Sequence, residues 1–263
     1  MSWSRLDYRS MLIPKRFAEI GYTLMVASGK GGVGKSLISA STALIEASRG
    51  VRAGLLDLDL HGPSSAAILG VTGVPAEGED GLIPLEKMGV KVMSVEFFAE
   101  EKPVPVGGAG KRELIRELLA LTDWGKLDLL VVDLPPGTGD EMLAAIELIP
   151  ERRGCILVTT PSALSARVAF RAGRLLKDMK VDVLGVLENM SAFSMRGEEV
   201  KPFGEGAAEE LSRRLQVQLL GRLPLDPEAS LAADLGKPEK LLQTRFAEAL
   251  SEILDRTLSL ALG

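Results

Sequence analysis

Residues 22–36 read YTLMVASGKGGVGKS, a short apolar run followed by a glycine-rich turn, and the next residues, LISASTALIEA, carry the apolar spacing of a helix. The turn, Gly29–Ser36, matches the pattern G-x-x-x-x-G-K-S/T. Glycines there let successive backbone N–H groups converge on phosphate oxygens, because a Cβ would obstruct the approach. The strand–turn–helix context therefore predicts a phosphate-binding loop at the N-terminus of a helix, whose dipole favours an anion.

This loop is expected to bind ATP together with Mg²⁺. Lys35 should reach the outer phosphates, and the hydroxyl of Ser36 should ligate the metal. The alternative, a glycine-rich turn without a ligand, is disfavoured by the strand before it and the helix after it. The residues predicted to contact the nucleotide here are Gly29, Lys30, Gly31, Gly32, Val33, Gly34, Lys35, Ser36 and Leu37.

Similar short apolar runs recur along the chain, separated by stretches with helical spacing. Several, such as LDLLVVDL and CILVTT, are apolar at consecutive positions, as strands covered by helices on both faces should be. The alternation predicts an α/β fold, a doubly wound and mostly parallel sheet with helices on both faces. The predicted strands are Tyr22–Ser28, Ala53–Leu60, Val90–Val95, Leu127–Leu134, Gly154–Thr160, Val181–Glu188 and Val217–Leu223.

The remaining stretches suggest one domain over residues 1–263, with an N-terminal extension at 1–20 and a C-terminal helix at 240–263. Val71–Gly89 is rich in glycine, proline and acids, which predicts an irregular surface excursion. Val106–Lys111 contains three glycines, which predicts a flexible loop.

Composition restricts the classes of protein. The chain has 263 residues and a net charge of −5, so it has no general electrostatic attraction to nucleic acid or to an anionic membrane. It has no run of about 18 apolar residues, and its first residues lack the pattern of a secretory signal. A cytoplasmic protein that binds neither nucleic acid nor membrane is expected.

Two later strands end in aspartates. LLDLDLHGPS places Asp57 and Asp59 after one strand, and LLVVDLPPGTGD places Asp133 after another. Side chains at the carboxyl ends of parallel strands point into the ligand crevice of an open α/β sheet. Because Mg²⁺ keeps several waters, we expect Asp57 and Asp133 to bind its waters and Asp59 to act on the water that attacks the phosphate. The alternative is that these aspartates only cap helices or turns.

The segment K-G-G-V-G-K-S at Lys30–Ser36 resembles the deviant Walker A motif of the MinD, ParA and nitrogenase iron protein class. The resemblance implies that Lys30 reaches across a face-to-face dimer to the partner's nucleotide. It would then join Lys35 and Asp59 as a catalytic residue. The alternative for Lys30 is a solvated surface charge.

Longer blocks are similar to the Mrp/ApbC family of iron–sulfur cluster carrier ATPases. They lie between Thr23 and Pro238 and read DLDLHGPS, WGKLDLLVVDLPPGTGDE, VTTPSALSARVA, VLGVLENMS and LLGRLPLDPE. The resemblance implies that Asn189 and the loop Pro224-Leu225-Asp226 contact the adenine. An asparagine amide can pair with both a donor and an acceptor on an adenine edge. The alternative for Asn189 is a turn residue at the end of a strand.

The chain departs from that family where ENMS is followed by C-P-x-C, whose cysteines hold a 4Fe–4S cluster between two subunits. The two cysteine positions fall at Met195 and Glu198. Such clusters ordinarily need four thiolates, and this chain has one cysteine, Cys155, in an apolar run typical of a buried strand. No iron–sulfur cluster is expected in the homodimer itself. The one histidine, His61, has no evident catalytic partner.

The preferred interpretation is a slow Mg²⁺-dependent ATPase, a dimeric switch with ATP sandwiched between subunits that works with an iron–sulfur assembly or client protein. One alternative is a positioning ATPase of the MinD/ParA kind that acts on membrane or DNA. The acidic net charge and the lack of a basic amphipathic tail argue against it. A second alternative is a non-hydrolysing ATP-binding scaffold for an assembly partner.

Overall fold

The computed structural model describes residues 8–99, 108–195 and 198–262, and over these residues strands and helices alternate. The strands are β1 (Ile20–Ser28), β2 (Ala53–Asp57), β3 (Ala76–Glu77), β4 (Leu82–Ile83), β5 (Leu85–Lys87), β6 (Val90–Ser94), β7 (Leu127–Asp133), β8 (Arg153–Thr159), β9 (Asp182–Glu188), β10 (Phe193–Met195), β11 (Glu198–Val200) and β12 (Leu219–Arg222). The helices are α1 (Tyr8–Phe17), α2 (Lys35–Ser48), α3 (Ser65–Ile68), α4 (Glu96–Ala99), α5 (Gly108–Leu121), α6 (Asp140–Leu148), α7 (Ala163–Asp178), α8 (Ala207–Leu215), α9 (Pro227–Asp234), α10 (Pro238–Leu241) and α11 (Arg245–Leu262).

The central sheet of the described part of the chain has eight strands in the order β12-β9-β8-β1-β7-β2-β6-β5. All neighbouring pairs are parallel except β5 with β6, at one edge. The chain enters in the middle at β1, moves outward to β2 on one side, and later fills the other side with β8, β9 and β12. The predicted doubly wound, mostly parallel sheet is confirmed.

The middle strands form the core because both of their faces are covered. In β1 the six residues from Thr23 to Ser28 are all buried, and in β7 the five residues from Leu129 to Asp133 are too. Successive side chains of a strand point to opposite faces, so consecutive burial requires packing on both. Parallel pairing then sets Asp57 of β2 directly beside Asp133 of β7. The two predicted acidic strand ends therefore meet at one edge of the sheet.

The stretch Val71–Gly89 is more ordered than its composition suggested. It contains the antiparallel pair β3–β4 and the edge strand β5, in which Leu85 lies opposite Val92 of β6. The prediction of an irregular excursion is therefore wrong for these three short strands, and for β5 the reason is that pairing with an existing sheet edge outweighs local glycine and proline content.

The glycines at the start of α5 also differ from expectation. Gly108 and Gly110 belong to this helix, so the predicted flexible loop is wrong for residues 108–111, while residues 106–107 lie outside the described part of the chain. Buried Ile115 and Leu119 anchor the helix. Such tertiary packing, rather than intrinsic propensity, supplies most helical stability in proteins.

The two chain ends need smaller corrections. The C-terminal helix predicted at 240–263 is divided into α10 and α11, and Thr244 between them accepts the N–H of Ala247 through its hydroxyl. The N-terminal extension contains α1, and β1 begins at Ile20; residues 1–7 and 263 lie outside the described part. None of the described helices combines the length and apolar character that crossing a membrane requires.

Candidate functional site

The turn between β1 and α2 is shaped by glycines that serve different purposes. Gly34, the N-cap of α2, has φ +84°, a left-handed conformation that favours glycine. A Cβ on Gly29 would collide with the backbone of α7 at Val168 and Ala169. Because α2 begins at Lys35, its first backbone N–H groups lack intrahelical partners and point into the turn. This geometry is that of a phosphate-binding loop.

The loop forms one wall of a cleft of about 740 Å³. The cleft is lined by Ser28, Lys30, Gly31, Gly32, Gly34, Lys35, Ser36 and Leu37 from the loop and α2, by Asp59, His61, Gly62 and Ser64 after β2, by Ala67 and Ile68, and by Pro136, Met190, Ser230, Ala233 and Asp234. Of the predicted nucleotide-contacting residues of the loop, Gly29 and Val33 are not part of this lining. Val33 is instead buried in the core.

Lys35 lies at the floor of the cleft between two carboxylates. Its Nζ is 2.7 Å from Oδ1 of Asp133 and 3.8 Å from Oδ2 of Asp59. Asp133 is fully buried and also accepts hydrogen bonds from the hydroxyls of Ser39 at 2.8 Å and Ser65 at 3.1 Å. Asp133 thus positions the lysine, and two hydroxyls can hold the carboxylate when the lysine moves.

Asp57 anchors the loop that follows β2. Its carboxylate is fully buried and accepts the backbone N–H groups of Asp59, Ser64 and Ser65 at 2.9–3.0 Å. Burial, and then the charge of Asp133, raise the pKa of Asp57 to about 7, although the Ser65 and Asp59 N–H groups and Lys35 oppose the shift. Asp57 and Asp133 were predicted to bind waters of the metal. Neither lines the cleft, and that role stays a prediction.

Asp59 is the aspartate of this cluster that faces the cleft. Its Oδ1 accepts the N–H groups of His61 and Gly62, both at 3.2 Å, which leaves Oδ2 directed to the side of Lys35. The structure thus places the Asp59 carboxylate beside Lys35 at the cleft, and its predicted action on an attacking water stays a prediction.

The charges of the cluster favour a cation. The nearly buried carboxylates of Asp59 and Asp133 flank the single ammonium of Lys35, and the buried Asp57 lies beside Asp133 in the sheet. The half-buried Ser36 lines the cleft next to Lys35 and offers a hard oxygen ligand suited to Mg²⁺. Among the described residues no group of three or more histidine, cysteine or acidic side chains is arranged to hold a metal. This donor set fits an ion held mainly by a hydroxyl, phosphates and water.

A second polar cluster, which sequence reasoning missed, borders the cleft. Oε1 of Glu141 on α6 accepts from Nζ of Lys111 on α5 at 2.6 Å and lies 3.3 Å from Nε2 of His61. The bond from Lys111 lowers the pKa of Glu141. The cluster ties two helices to the loop that carries Asp59. No sequence signal links these residues, because they come from three separate segments.

Lys30 is exposed at the edge of the cleft, and Oγ of Ser28 donates to its carbonyl at 2.9 Å. The loop therefore fixes the backbone of Lys30 while its side chain stays in solvent. This placement is compatible with reaching a second subunit and equally with a surface charge, so its catalytic role stays a prediction.

The residues predicted to contact adenine have structural partners. Asn189 is 2% exposed, and its Nδ2 donates to the carbonyl of Val33 at 2.9 Å, which ties the end of β9 to the phosphate loop. Its neighbour Met190 lines the cleft instead.

The second part of that prediction concerns Pro224, Leu225 and Asp226. These residues line a separate cavity of about 440 Å³ rather than the cleft. The Asp226 carboxylate caps α9 by accepting from Glu228 N and also accepts from Phe246 N. Contact of either group with adenine stays a prediction.

The positions of the family's cluster cysteines form a short hairpin. Met195 and Glu198 lie opposite each other across β10 and β11. Cys155 is fully buried in β8, and burial raises the pKa of its thiol, so it is held as a neutral thiol. A thioether, a carboxylate and a buried thiol do not fit an iron–sulfur cluster, which needs thiolates.

Comparison with known proteins places this geometry among nucleotide-binding proteins. The family model described as NUBPL iron-transfer P-loop NTPase, of the ParA group, matches residues 19–258. An iron–sulfur cluster carrier protein of Saccharolobus solfataricus is 38% identical, covering 86% of this chain and 78% of the relative.

Two solved structures resemble the fold. A nucleotide-binding protein from Archaeoglobus fulgidus in complex with ADP has a TM-score of 0.77 and 37% identity, covering 88% of this chain and 92% of its own. The septum site-determining protein MinD of Pyrococcus horikoshii, complexed with Mg-ADP, has a TM-score of 0.68 and 23% identity, covering 91% of this chain and 97% of its own. The MinD likeness shows the fold alone.

Proposed function

The chain belongs to the ParA-type family of NUBPL iron-transfer P-loop NTPases, which includes the Mrp/ApbC carriers, and from that membership we propose that it is a Mg²⁺-dependent ATPase that acts as a dimeric switch in iron–sulfur cluster assembly. The observation that carries the proposal is the position of Asp59, which faces the cleft beside Lys35 of the phosphate loop. Phosphoryl transfer needs mainly positioning and charge neutralisation, and these two groups can supply both.

Each residue of the site then has a distinct part. Lys35 moves from Asp133 to the outer phosphates, while Ser39 and Ser65 keep the Asp133 carboxylate hydrogen-bonded. Ser36 holds Mg²⁺, which when bound offsets the charge that develops on the phosphates. Asp59 orients or deprotonates the attacking water, with its other oxygen fixed by the loop after β2.

Two features support a face-to-face dimer. Lys30 is exposed at the edge of the cleft, where its side chain can reach a second subunit. Helix α9 contributes Ser230 to the cleft and carries Leu231, which is 60% exposed, and Leu235, which directly follows the helix, is 54% exposed. Exposed leucines beside a ligand cleft favour burial against another copy of the chain. In the dimer Lys30 contacts the partner's nucleotide.

The chain works on iron–sulfur clusters through another protein. The relative from Saccharolobus solfataricus is named an iron–sulfur cluster carrier, whereas this chain lacks the thiolates that a subunit-bridging cluster needs. The nucleotide switch therefore changes the chain's contacts with an assembly or client protein that holds the cluster, in the cytoplasm.

The proposal is tested by steady-state ATP hydrolysis with Mg²⁺, comparing the wild type with Asp59→Asn. The amide oxygen can still accept from His61 and Gly62, so the loop keeps its shape and only the charge is lost. The variant should bind MgATP and lose most hydrolysis, and Asp80→Asn, a control aspartate outside the lining of the cleft, should lose none.

Each other outcome contradicts a specific part of the proposal. A wild type that binds MgATP without turnover would favour a scaffold, and an Asp59→Asn variant with wild-type turnover would remove Asp59 from the chemistry. ATP-dependent co-sedimentation with lipid vesicles or DNA would favour a positioning ATPase.

A further inference from the structure

A groove about 480 Å³ in volume lies between α7 and α8, away from the nucleotide cleft. Its apolar floor includes Phe170 and Leu211, and its sides carry Arg167, Arg171 and Arg214. We call it the α7–α8 groove. It combines an apolar surface with concentrated positive charge on a chain whose net charge is −5.

The positive charges lie along one face of α7. Arg167, Arg171 and Arg174 are exposed and follow the spacing i, i+4, i+7, so their Cα atoms are about 6 Å and then about 4.5 Å apart along the helix axis. Leu164, which is 72% exposed, lies one turn before them on the same face. Like charges at this spacing destabilise an isolated helix, so these three arginines do not stabilise α7 through their own interactions.

These guanidinium groups are available to a partner. Arg214 of α8 stacks over the ring of Phe170, 3.9 Å from its centroid, which fixes the groove wall without using its hydrogen-bond donors. Glu210, the acidic residue of the groove, forms an ion pair with Arg213. Within residues 8–99, 108–195 and 198–262, no carboxylate forms an ion pair with Arg167, Arg171 or Arg174.

We infer that the α7–α8 groove docks an acidic segment of a partner protein, which places carboxylates on the arginines of α7 and an apolar side chain on Phe170. In an extended segment, side chains at alternate positions lie on one face about 6.6 Å apart, close to the axial spacing between Arg167 and Arg171. Guanidinium groups bind carboxylates through paired N–H donors. Matching charges at matching spacing would therefore both attract the acidic segment and fix its alignment along α7.

A protein segment fits this groove better than a nucleic acid. The floor is apolar and the exposed Leu164 lies next to the arginines of α7, whereas the sequence-independent part of nucleic-acid binding comes from phosphates on basic residues. The acidic charge of the whole chain also opposes a long polyanion, but it allows a short acidic segment on a local basic face.

The position of α7 gives such docking a physical connection to the nucleotide site. The backbone of α7 at Val168 and Ala169 packs so closely on Gly29 that a Cβ there would collide with it. A segment held on the outer face of α7 therefore contacts the helix against which the phosphate loop is packed.

The test is fluorescence anisotropy with a labelled decapeptide of alternating glutamate and leucine, in low salt and without nucleotide. Its failure is thus distinguishable from failure of the ATPase proposal. The Arg167→Glu/Arg171→Glu variant should bind the peptide at least tenfold more weakly. The matched control Lys15→Glu/Lys126→Glu, at two exposed lysines with the same change in charge, should stay within twofold. Binding should weaken with salt.

Several results would overturn the inference. These are no binding of the peptide, equal binding of a glutamine-for-glutamate peptide, or equal losses in the two charge-reversed variants. Tighter binding of a single-stranded oligonucleotide that the same arginines control would assign the groove to nucleic acid instead. If the charge-reversed variant does not give a native circular dichroism spectrum, Arg167→Gln/Arg171→Gln, which adds no repulsion, gives the same comparison.

Discussion

Replacing Lys35 with methionine tests the charge balance at the floor of the cleft. The change keeps most of the side-chain volume but leaves the Asp133 carboxylate fully buried, with only the hydroxyls of Ser39 and Ser65 as donors. Removing one partner of a buried ion pair typically costs 3–5 kcal/mol, and the remaining hydroxyls put this case at about 3 kcal/mol. At roughly 2–4 °C per kcal/mol for a chain near this size, Tm should fall by about 6–12 °C at pH 8.

The loss should shrink at lower pH. The folded-state pKa of Asp57 is raised to about 7 from an ordinary value of 3.8, so the folded protein binds a proton more tightly than the unfolded chain between these values. Stability from this group therefore rises as pH falls from about 7 to about 4. Lys35 opposes that shift, so its removal should raise the pKa of Asp57 further. At pH 5.5 the stability deficit of Lys35→Met should therefore be smaller than at pH 8, by about 1.4 kcal/mol for each unit by which the pKa of Asp57 rises.

Two variants control this experiment, which is done by thermal unfolding without nucleotide. Lys91→Met removes a lysine whose Nζ donates to the Trp124 carbonyl at 2.6 Å and not to a carboxylate of this cluster, so its effect should not vary in this way with pH. Adding Asp133→Asn to Lys35→Met removes the uncompensated charge and should recover at least half of the loss. Equal losses at both pH values, with no recovery in the double variant, would refute the buried ion pair.

The remaining predictions concern the loop, the dimer and the cysteine. Lys30→Ala should weaken ATP-dependent dimerisation more than nucleotide binding. An unaltered dimer fraction in sedimentation at matched ATP saturation would show that Lys30 is only a solvated surface charge. Gly29→Ala should cost about 1–3 kcal/mol because its methyl group meets the backbone at Ala169, whereas Gly31→Ala, with open space around it, should be nearly neutral in thermal unfolding. Anaerobic iron–sulfur reconstitution followed by desalting should leave no stable visible absorption; iron and sulfide that persist and vanish in Cys155→Ser would contradict this expectation.

The sequence predicted those parts of the site that depend on local pattern or on topology. The phosphate loop is continuous in the chain, so its glycines and Lys35 are recognisable from spacing alone. Asp57 and Asp133 were expected to lie together because parallel strands bring their carboxyl ends to one edge. The structure sets them side by side.

The sequence pattern could not predict features that depend on contacts between residues distant in the chain. Ser39 and Ser65 hold Asp133, and Lys111 pairs with Glu141, across separations in the chain that no periodicity encodes. The same reason explains the error at Val71–Gly89, where an edge strand forms only because β6 is there to pair with it. The α7–α8 groove likewise needs two helices that are separate in sequence.

The central claim, that the cleft binds ATP through the phosphate loop, is tested most directly by calorimetric titration of MgATP into wild type and Lys35→Met well below the melting temperature of the variant. Lys35 should supply a charged hydrogen bond worth about 1.5–3 kcal/mol, so the affinity should fall at least tenfold, with Lys91→Met unchanged. A folded Lys35→Met variant that binds MgATP as tightly as the wild type would contradict the assignment of the cleft.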